Sequence, residues 1–232
     1  MKKILLVLLS IITFASAQQP DATKPKAPAR KPDPSLAKIA DVAGLPHVLL
    51  IGDSISMGYT VPVRDLLKGK ANLHRIPANG GSTKDGLEKL GAWLGAEKWD
   101  VIHFNWGLHD LKHWKDGKLD DSGPVVSTVE DYEKNLRELT KRLKATGAKL
   151  IWATTTPVPE GSGGRTAADE LKYNEAAARV MKDAGIPTDD LHALCTPKLA
   201  EWQRPKNVHF TTEGSAGLAA KVAADIEAAL RK

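Results

Sequence analysis

Short apolar runs alternate with longer segments of helical periodicity along most of this chain. The runs fall at His47 to Ile51, Leu73 to Ile76, Val101 to Phe104 and Leu150 to Thr154, with a weaker one near Ile186. Each has the length of a sheet strand and is too short for an ordinary helix. Between the third and fourth, Tyr132, Leu136, Leu139 and Leu143 recur at spacings of four, three and four, which aligns them on one helical face. Thr128 or Ser127 is available to cap the start of that helix and Gly147 to stop it. Ala-rich helical patterns follow at Ala167 to Ala184 and Ser215 to Leu230. Strands alternating with helices in this way predict βα units around a mostly parallel sheet, the α/β class.

Ahead of the first run the pattern changes. Lys2 and Lys3 precede an apolar stretch from Ile4 to Phe14, and Ala15-Ser16-Ala17 has the small-x-small form of a signal-peptidase site. Residues 1–17 are therefore expected to be a cleavable signal peptide, and the protein to be secreted or periplasmic. The stretch falls well short of the roughly 20 apolar residues that span a bilayer, so no membrane span is expected. Residues 18–35 are Pro, Ala, Lys and Asp without apolar periodicity, the composition of a flexible linker. Residues 36–232 then form one domain, long enough for a full core.

Charge and cysteine content exclude some classes. The formal charge of +5 falls to +3 once Lys2 and Lys3 leave with the leader, too mild for a nucleic-acid partner. Much of the excess sits in the linker at Lys24, Lys26, Arg30 and Lys31. Cys195 is the only cysteine, so no intramolecular disulfide forms and stability must come from the core. Its setting, Leu194-Cys195-Thr196-Pro197, reads as the end of a packed segment, which argues against a nucleophilic thiol.

In open α/β sheets ligands bind beyond the carboxyl ends of the strands, so the residues after each apolar run are the ones to examine. After the first come Gly52-Asp53-Ser54. A serine at a strand-to-helix turn exposes its hydroxyl, and the first N–H groups of the helix point at what it attacks. After the second come Asn79-Gly80-Gly81-Ser82, where glycine lets the backbone approach a ligand and offer N–H groups. After the third come Asn105-Trp106-Gly107-Leu108-His109-Asp110, with polar side chains for a further hydrogen bond. Near the end, His209 precedes a final helix and can reach over the sheet edge to Ser54.

These four blocks, in this order and at this spacing, resemble the SGNH (GDSL-like) hydrolases over residues 47–232. That family has Gly-Asp-Ser, a Gly after the second strand, Gly-x-Asn-Asp after the third, and Asp-x-x-His near the end. The resemblance implies a three-layer α/β/α, flavodoxin-like fold with a five-stranded, mostly parallel sheet. It also implies a serine esterase with Ser54 as nucleophile and His209 as base. Oxyanion donors would be Ser54, Gly81 (or Gly80) and the side chain at His109. No cofactor and no metal are implied. The substrate class is an acyl ester, an acetyl ester first, on a small molecule or a polysaccharide.

Two departures from the family pattern stand out. His109 replaces Asn, and a neutral imidazole still donates one hydrogen bond if its tautomer is fixed. Three residues before His209 stands Lys206, not Asp. In one protease, Asn in place of the acid costs ~10⁴ in rate. A Ser-His dyad is therefore expected, with the free imidazole nitrogen held by Asn207, by a main-chain carbonyl or by a carboxylate elsewhere.

Two rival readings follow from the same residues. His109 and His113 are four apart with Asp110 between, as in a helical zinc motif, although Gly107 argues for a loop. Trp93, Trp99, Trp106, Trp114, Trp152 and Trp202 would suit a carbohydrate-binding protein without catalysis if their indoles were exposed. Specificity would rest on loops such as 112–126 and 157–165.

Overall fold

The computed structural model describes residues 32–231, so the expected leader and residues 18–31 of the expected linker lie outside the described residues. The strands are β1 (His47–Ile51), β2 (Asn72–Arg75), β3 (Val101–Phe104), β4 (Trp114–Lys115), β5 (Lys118–Leu119), β6 (Lys149–Ala153) and β7 (Thr188–Asp189). The α-helices are α1 (Ser54–Leu66), α2 (Thr83–Leu94), α3 (Val129–Lys144), α4 (Glu170–Ala184), α5 (Leu191–Cys195), α6 (Leu199–Trp202) and α7 (Thr212–Arg231).

Val48 to Ile51 and Val101 to Phe104 are buried without alternation, as strands covered on both faces must be. They form the centre of one parallel sheet of order β2-β1-β3-β6-β7. Leaving aside the β4–β5 hairpin, this is the flavodoxin-like order that the resemblance implies. The chain leaves β1 toward β2 and then returns to the other side of β1 as β3. The crevice at that reversal, beyond the carboxyl ends of β1 and β3, is where a doubly wound sheet binds its ligand. Helix α1 packs on α7, while α3 packs between α2 and α4.

The expected periodicity matches α3 closely. Tyr132, Leu136, Leu139 and Leu143 are buried, Thr128 Oγ1 accepts the Asp131 N–H at 3.1 Å, and Gly147 lies beyond the end at φ 77°. Four details differ from the sequence reading. Strand β7 lies just beyond Ile186 and is only two residues long, too short to show a period. Helix α4 starts at Glu170 instead of Ala167, because Ala168 takes a left-handed φ of 61° that a helix cannot continue through. The loop over 112–126 contains the β4–β5 hairpin. Its turn residues Asp116 and Gly117 have φ of 49° and 77°, a type I′ turn that the Asp-Gly pair announces.

The fourth difference concerns the end of the expected linker. Asp33 caps a 3₁₀ turn, Pro34–Leu36, whose Ser35 is buried. Arg64 of α1 donates to Pro34 O and Ala37 O at 3.2 and 3.1 Å. Packing on α1 therefore begins a few residues earlier than residue 36. Cys195 is buried and unpaired, and burial pushes its thiol up to about 12, which leaves it inert. Among the described residues, no helix is long and apolar enough to cross a membrane.

Candidate active site

Ser54 is the first residue of α1, so its N–H is one of the donors a helix cannot satisfy internally. Asp53 is the N-cap: its side chain accepts the Ile55 N–H at 2.9 Å, and its carbonyl accepts the Ser56 hydroxyl at 2.7 Å. Arg75, at the end of β2, braces the turn from below. Its guanidinium donates to Gly52 O at 2.8 Å, Asp53 O at 3.1 Å and Ser56 Oγ at 2.6 Å. Burial lowers its pKa to about 10, with Tyr59 and Asp53 opposing, so it stays charged at neutral pH. The sequence reading missed Arg75 because it lies inside an apolar run and the two carbonyls it holds, Gly52 O and Asp53 O, are more than twenty residues away.

The loop after β2 lies directly against this turn. Gly80 N–H donates to Gly52 O at 2.9 Å, and a Cβ at Gly80 would sit 2.8 Å from that oxygen, so only glycine fits. Gly81 takes φ 62°, and its N–H donates to the exposed Asn79 Oδ1 at 2.9 Å. The expected donor at Gly81 is thus engaged by an exposed side chain. Ser82 caps α2 through a capping box with Asp85.

His209 stands between the packed segment at Trp202–Arg204 and the start of α7. Thr211 N–H donates to Trp202 O at 2.7 Å and Arg204 N–H to His209 O at 2.9 Å, so the two segments zip together. Gln203 adds bonds to Pro157 O and Val208 O at 2.8 and 3.2 Å. The zipped pair rests on α7, where Gly214 and Gly217 leave room for Trp202. His209 Nε2 comes 2.8 Å from Ser54 Oγ, and Nδ1 comes 2.7 Å from Asn207 Oδ1. Of the three partners left open by the sequence, the side chain of Asn207 is the one in contact. Lys206, at the place of the family's acid, is exposed with φ 53°, and its stem runs along Gly161.

The amide of Asn207 is oriented by a second bond, because the His209 backbone N–H also donates to Oδ1 at 2.9 Å. Flipping the amide would set two N–H groups against each other, so Oδ1 faces the ring. Nδ1 therefore carries the proton and Nε2 the lone pair, the tautomer that accepts a proton from a hydroxyl. Burial lowers the His209 pKa, Asp53 opposes, and Arg204 and Arg165 lower it further. The imidazole stays neutral to more acidic pH than an exposed histidine.

His109 follows β3 across the reversal. Its Nδ1 lies 3.3 Å from Lys112 Nζ, and an ammonium only donates, so the ring proton belongs on Nε2. Burial lowers its pKa, with Lys112 and Arg165 adding to that against Asp53 and Asp85. The condition set by the sequence reading, a neutral imidazole of fixed tautomer, is met through Lys112. Arg165 is anchored by Nε to Leu108 O at 3.0 Å and raises the positive potential at both histidines. Neither Lys112 nor Arg165 was legible as a site residue. The neighbouring Asp110 is buried, accepts from Thr83 N–H and Oγ1, and is raised to about 6 by burial against those bonds.

Beside Ser54 and His209 opens a cleft of about 510 Å³, bordered by the Pro34–Ser35 turn, by Met57 and Val61 of α1, and by Phe210 and Arg204.

The rival arrangements are not assembled. His109 and His113 lie in a non-helical segment; His109 faces Lys112, while His113 Nδ1 donates to Gly123 O at 2.7 Å. The Asp110 carboxylate between them is turned to Thr83. Trp99, Trp106, Trp152 and Trp202 are core residues and Trp93 is half-buried. Trp114 is 39% exposed, but the Lys112 ammonium sits 4.3 Å above its ring.

A parallel sheet of this order, with a serine and a histidine in contact beyond its carboxyl ends, defines an α/β ester hydrolase. The sequence profile described as GDSL-like Lipase/Acylhydrolase family matches residues 50–216, and the chain belongs to that family. No curated protein matches it by sequence. Among solved structures, it is similar to a lipase/acylhydrolase from Enterococcus faecalis, with TM-score 0.67 and 22% identity over 79% of this chain and 96% of that one. It is also similar to the acetyl xylan esterase AlAXEase, with TM-score 0.64 and 18% identity over 78% and 99%. A GDSL-like lipase from Bacteroides thetaiotaomicron gives TM-score 0.61 and 19% identity over 85% and 94%. At these identities the likeness concerns the fold.

Proposed function

We propose that this chain is an exported serine esterase that removes acetyl or other short acyl groups from carbohydrates. Ser54 is the nucleophile, His209 the general base, and Asn207 the residue that orients His209. The observation that carries this reading is the Ser54 Oγ–His209 Nε2 contact at 2.8 Å, continued from Nδ1 to Asn207 Oδ1 at 2.7 Å.

In the first half-reaction His209 Nε2 takes the Ser54 proton as Oγ bonds to the ester carbonyl carbon. Negative charge moves to the carbonyl oxygen, which receives hydrogen bonds from Ser54 N–H, from His109 Nε2–H and from Gly81 N–H once Asn79 gives way. One donor of this kind is worth about 10²–10³ in rate. Collapse breaks the bond to the alcohol oxygen, and His209 returns the proton to that leaving group. Water then repeats the sequence on the acyl-Ser54 ester, with the same base.

Asn207 supplies the correct tautomer but no charge. The imidazolium formed in each step is less stabilised than beside a carboxylate, which suits reactive acetyl esters better than amides. The cleft has room for a sugar ring with its neighbour, and one structure of similar fold is described as an acetyl xylan esterase. The leader at residues 1–17 directs the enzyme out of the cytoplasm, where a polysaccharide or a small-molecule ester would meet it. Nucleic acid and the membrane interior have no part in this reading.

Treating the purified protein with a serine-directed phosphonate and mapping the adduct tests the assignment. Modification of Ser54 with loss of hydrolysis is expected; an active enzyme modified at another serine, or not at all, sinks it. A panel of acetylated sugars, short nitrophenyl esters and long-chain lipids tests the substrate class, with highest kcat/KM expected on the sugars.

A further inference from the structure

Away from the active site, the first residue of β1 and the edge strand β2 gather a second set of donor atoms. His47 opens β1 and His74 lies in β2, where His47 pairs with Asn72 and Leu49 with His74. Side chains alternate along a strand, so the two histidines share one face of the sheet. Their rings stand 5.6 Å apart, and Trp99 closes over both, 6.4 Å from His47 and 5.4 Å from His74.

Asp41, on the segment entering β1, completes the set. Its neighbour Val42 is fixed by Asn72, which accepts the Val42 N–H at 2.9 Å and donates to Val42 O at 3.0 Å and Leu45 O at 3.3 Å. Asp41 Oδ1 then lies 2.8 Å from His74 Nε2, and Oδ2 lies 3.9 Å from His47 Nε2. One nitrogen of each ring and one carboxylate oxygen all fall within 4.8 Å of one another.

The short Asp41–His74 approach is not aligned as a hydrogen bond, and His74 Nε2 is buried without a directed partner. A carboxylate oxygen beside a ring nitrogen, but off its lone-pair axis, is the arrangement of two ligands converging on a third point. An ion about 2.0–2.2 Å from each donor needs donor separations of about 3–3.6 Å; the two Asp41–imidazole separations, 2.8 Å through Oδ1 and 3.9 Å through Oδ2, lie just to either side of that window. Asp41 is exposed and free to adjust. Glu97 Oε2 lies 3.8 Å from His47 Nδ1, beyond hydrogen-bond distance, so a carboxylate is near the other ring nitrogen without holding it.

We propose that Asp41, His47 and His74 bind a divalent transition-metal ion of the zinc class. Two imidazoles and one carboxylate suit zinc, nickel or copper, whereas magnesium and calcium require oxygen donors. The site lies at the other end of β1 from Ser54, so the ion takes no part in ester hydrolysis. It cross-links the segment before β1 to two strands and stabilises the edge of the sheet.

The test uses the untagged chain, stripped with chelator and titrated with zinc chloride by calorimetry and thermal unfolding. One equivalent should bind, and Tm should rise about 5–10 °C at a hundredfold excess over Kd. Magnesium chloride should leave Tm unchanged, and the rate on a short nitrophenyl ester should not respond to zinc or chelator. The exposed substitution Asp41→Asn, which leaves both rings in place, should abolish the Tm shift, and so should His74→Gln. His113→Gln should retain it. No saturable binding up to millimolar zinc overturns the proposal. Binding that survives in Asp41→Asn and His74→Gln also overturns it, as the ion would then sit elsewhere.

Discussion

His209 and His103 are each held by a side-chain oxygen, and their surroundings are opposite. His209 is half-buried, faces Ser54, and is held by the neutral amide of Asn207. His103, in the middle of β3, is fully buried with its Nε2 3.0 Å from the Asp189 carboxylate, and Lys221 Nζ stands 3.2 Å from the other oxygen. Burial alone would raise the Asp189 carboxyl, but the contacts to His103 and Lys221 outweigh it and hold it low. The molecule therefore contains the histidine–carboxylate pair of a full catalytic triad, but in its core, where no nucleophile meets it. A carboxylate held between an imidazole and an ammonium ties β3, β7 and α7 together. An amide at the strand ends fixes a tautomer and leaves the imidazole neutral.

The largest effect separating the two pairs is on turnover. Ser54→Ala or His209→Ala should lower kcat by about 10⁴-fold or more while circular dichroism and Tm stay near those of the parent. Removing the core carboxylate should do the reverse. Asp189→Ala leaves His103 and Lys221 without their buried partner and should cost about 3–5 kcal/mol in urea unfolding, with kcat of the folded fraction unchanged. A loss under about 1 kcal/mol would mean that the core pair contributes little.

Exchanging the two kinds of partner sharpens the comparison. Asn207→Asp should preserve or raise kcat, since a carboxylate stabilises the imidazolium; a tenfold drop, about 1.4 kcal/mol, would show that the amide itself is required. The pH profile gives the sign. In the parent, burial lowers the His209 pKa, so the acid limb of kcat/KM should lie below the ordinary histidine value of about 6.5. A carboxylate at residue 207 favours the charged ring, raises that pKa and should move the limb to higher pH. A limb that stays in place would remove Asn207 from contact with the working imidazole.

The smallest effect concerns the third histidine. Lys112→Met removes the donor at His109 Nδ1 and lets the ring exchange tautomers, so kcat should fall about three- to tenfold with KM little changed. A change confined to KM would assign Lys112 to substrate binding.

Most of the fold was legible because hydrophobic pattern alone determines it. The bounds of β1 and β3 follow from apolar runs between polar ends, and α3 from its four buried residues. Strand β7 was not, since two residues show no period. Ser54 and His209 could be read because strand-to-helix and loop-to-helix junctions place side chains at the carboxyl ends of a parallel sheet. Arg75, Lys112 and Arg165 could not. Each acts through a long side chain on a partner chosen by three-dimensional proximity, in two cases a backbone carbonyl, which leaves no trace in residue type. The contact at Asn207 depends on a single oxygen receiving two N–H groups, a matter of geometry within three residues that spacing cannot express.

Gly214 and Gly217 touch no substrate, yet they act as a shim for the chemistry. Trp202 settles into the space their missing side chains leave, and the strand-like segment behind it carries His209 down to Ser54. A single methyl group at either glycine would lift that assembly and lengthen the path of the transferred proton. The clearance of the reacting pair is thus set from beneath, by atoms that α7 lacks.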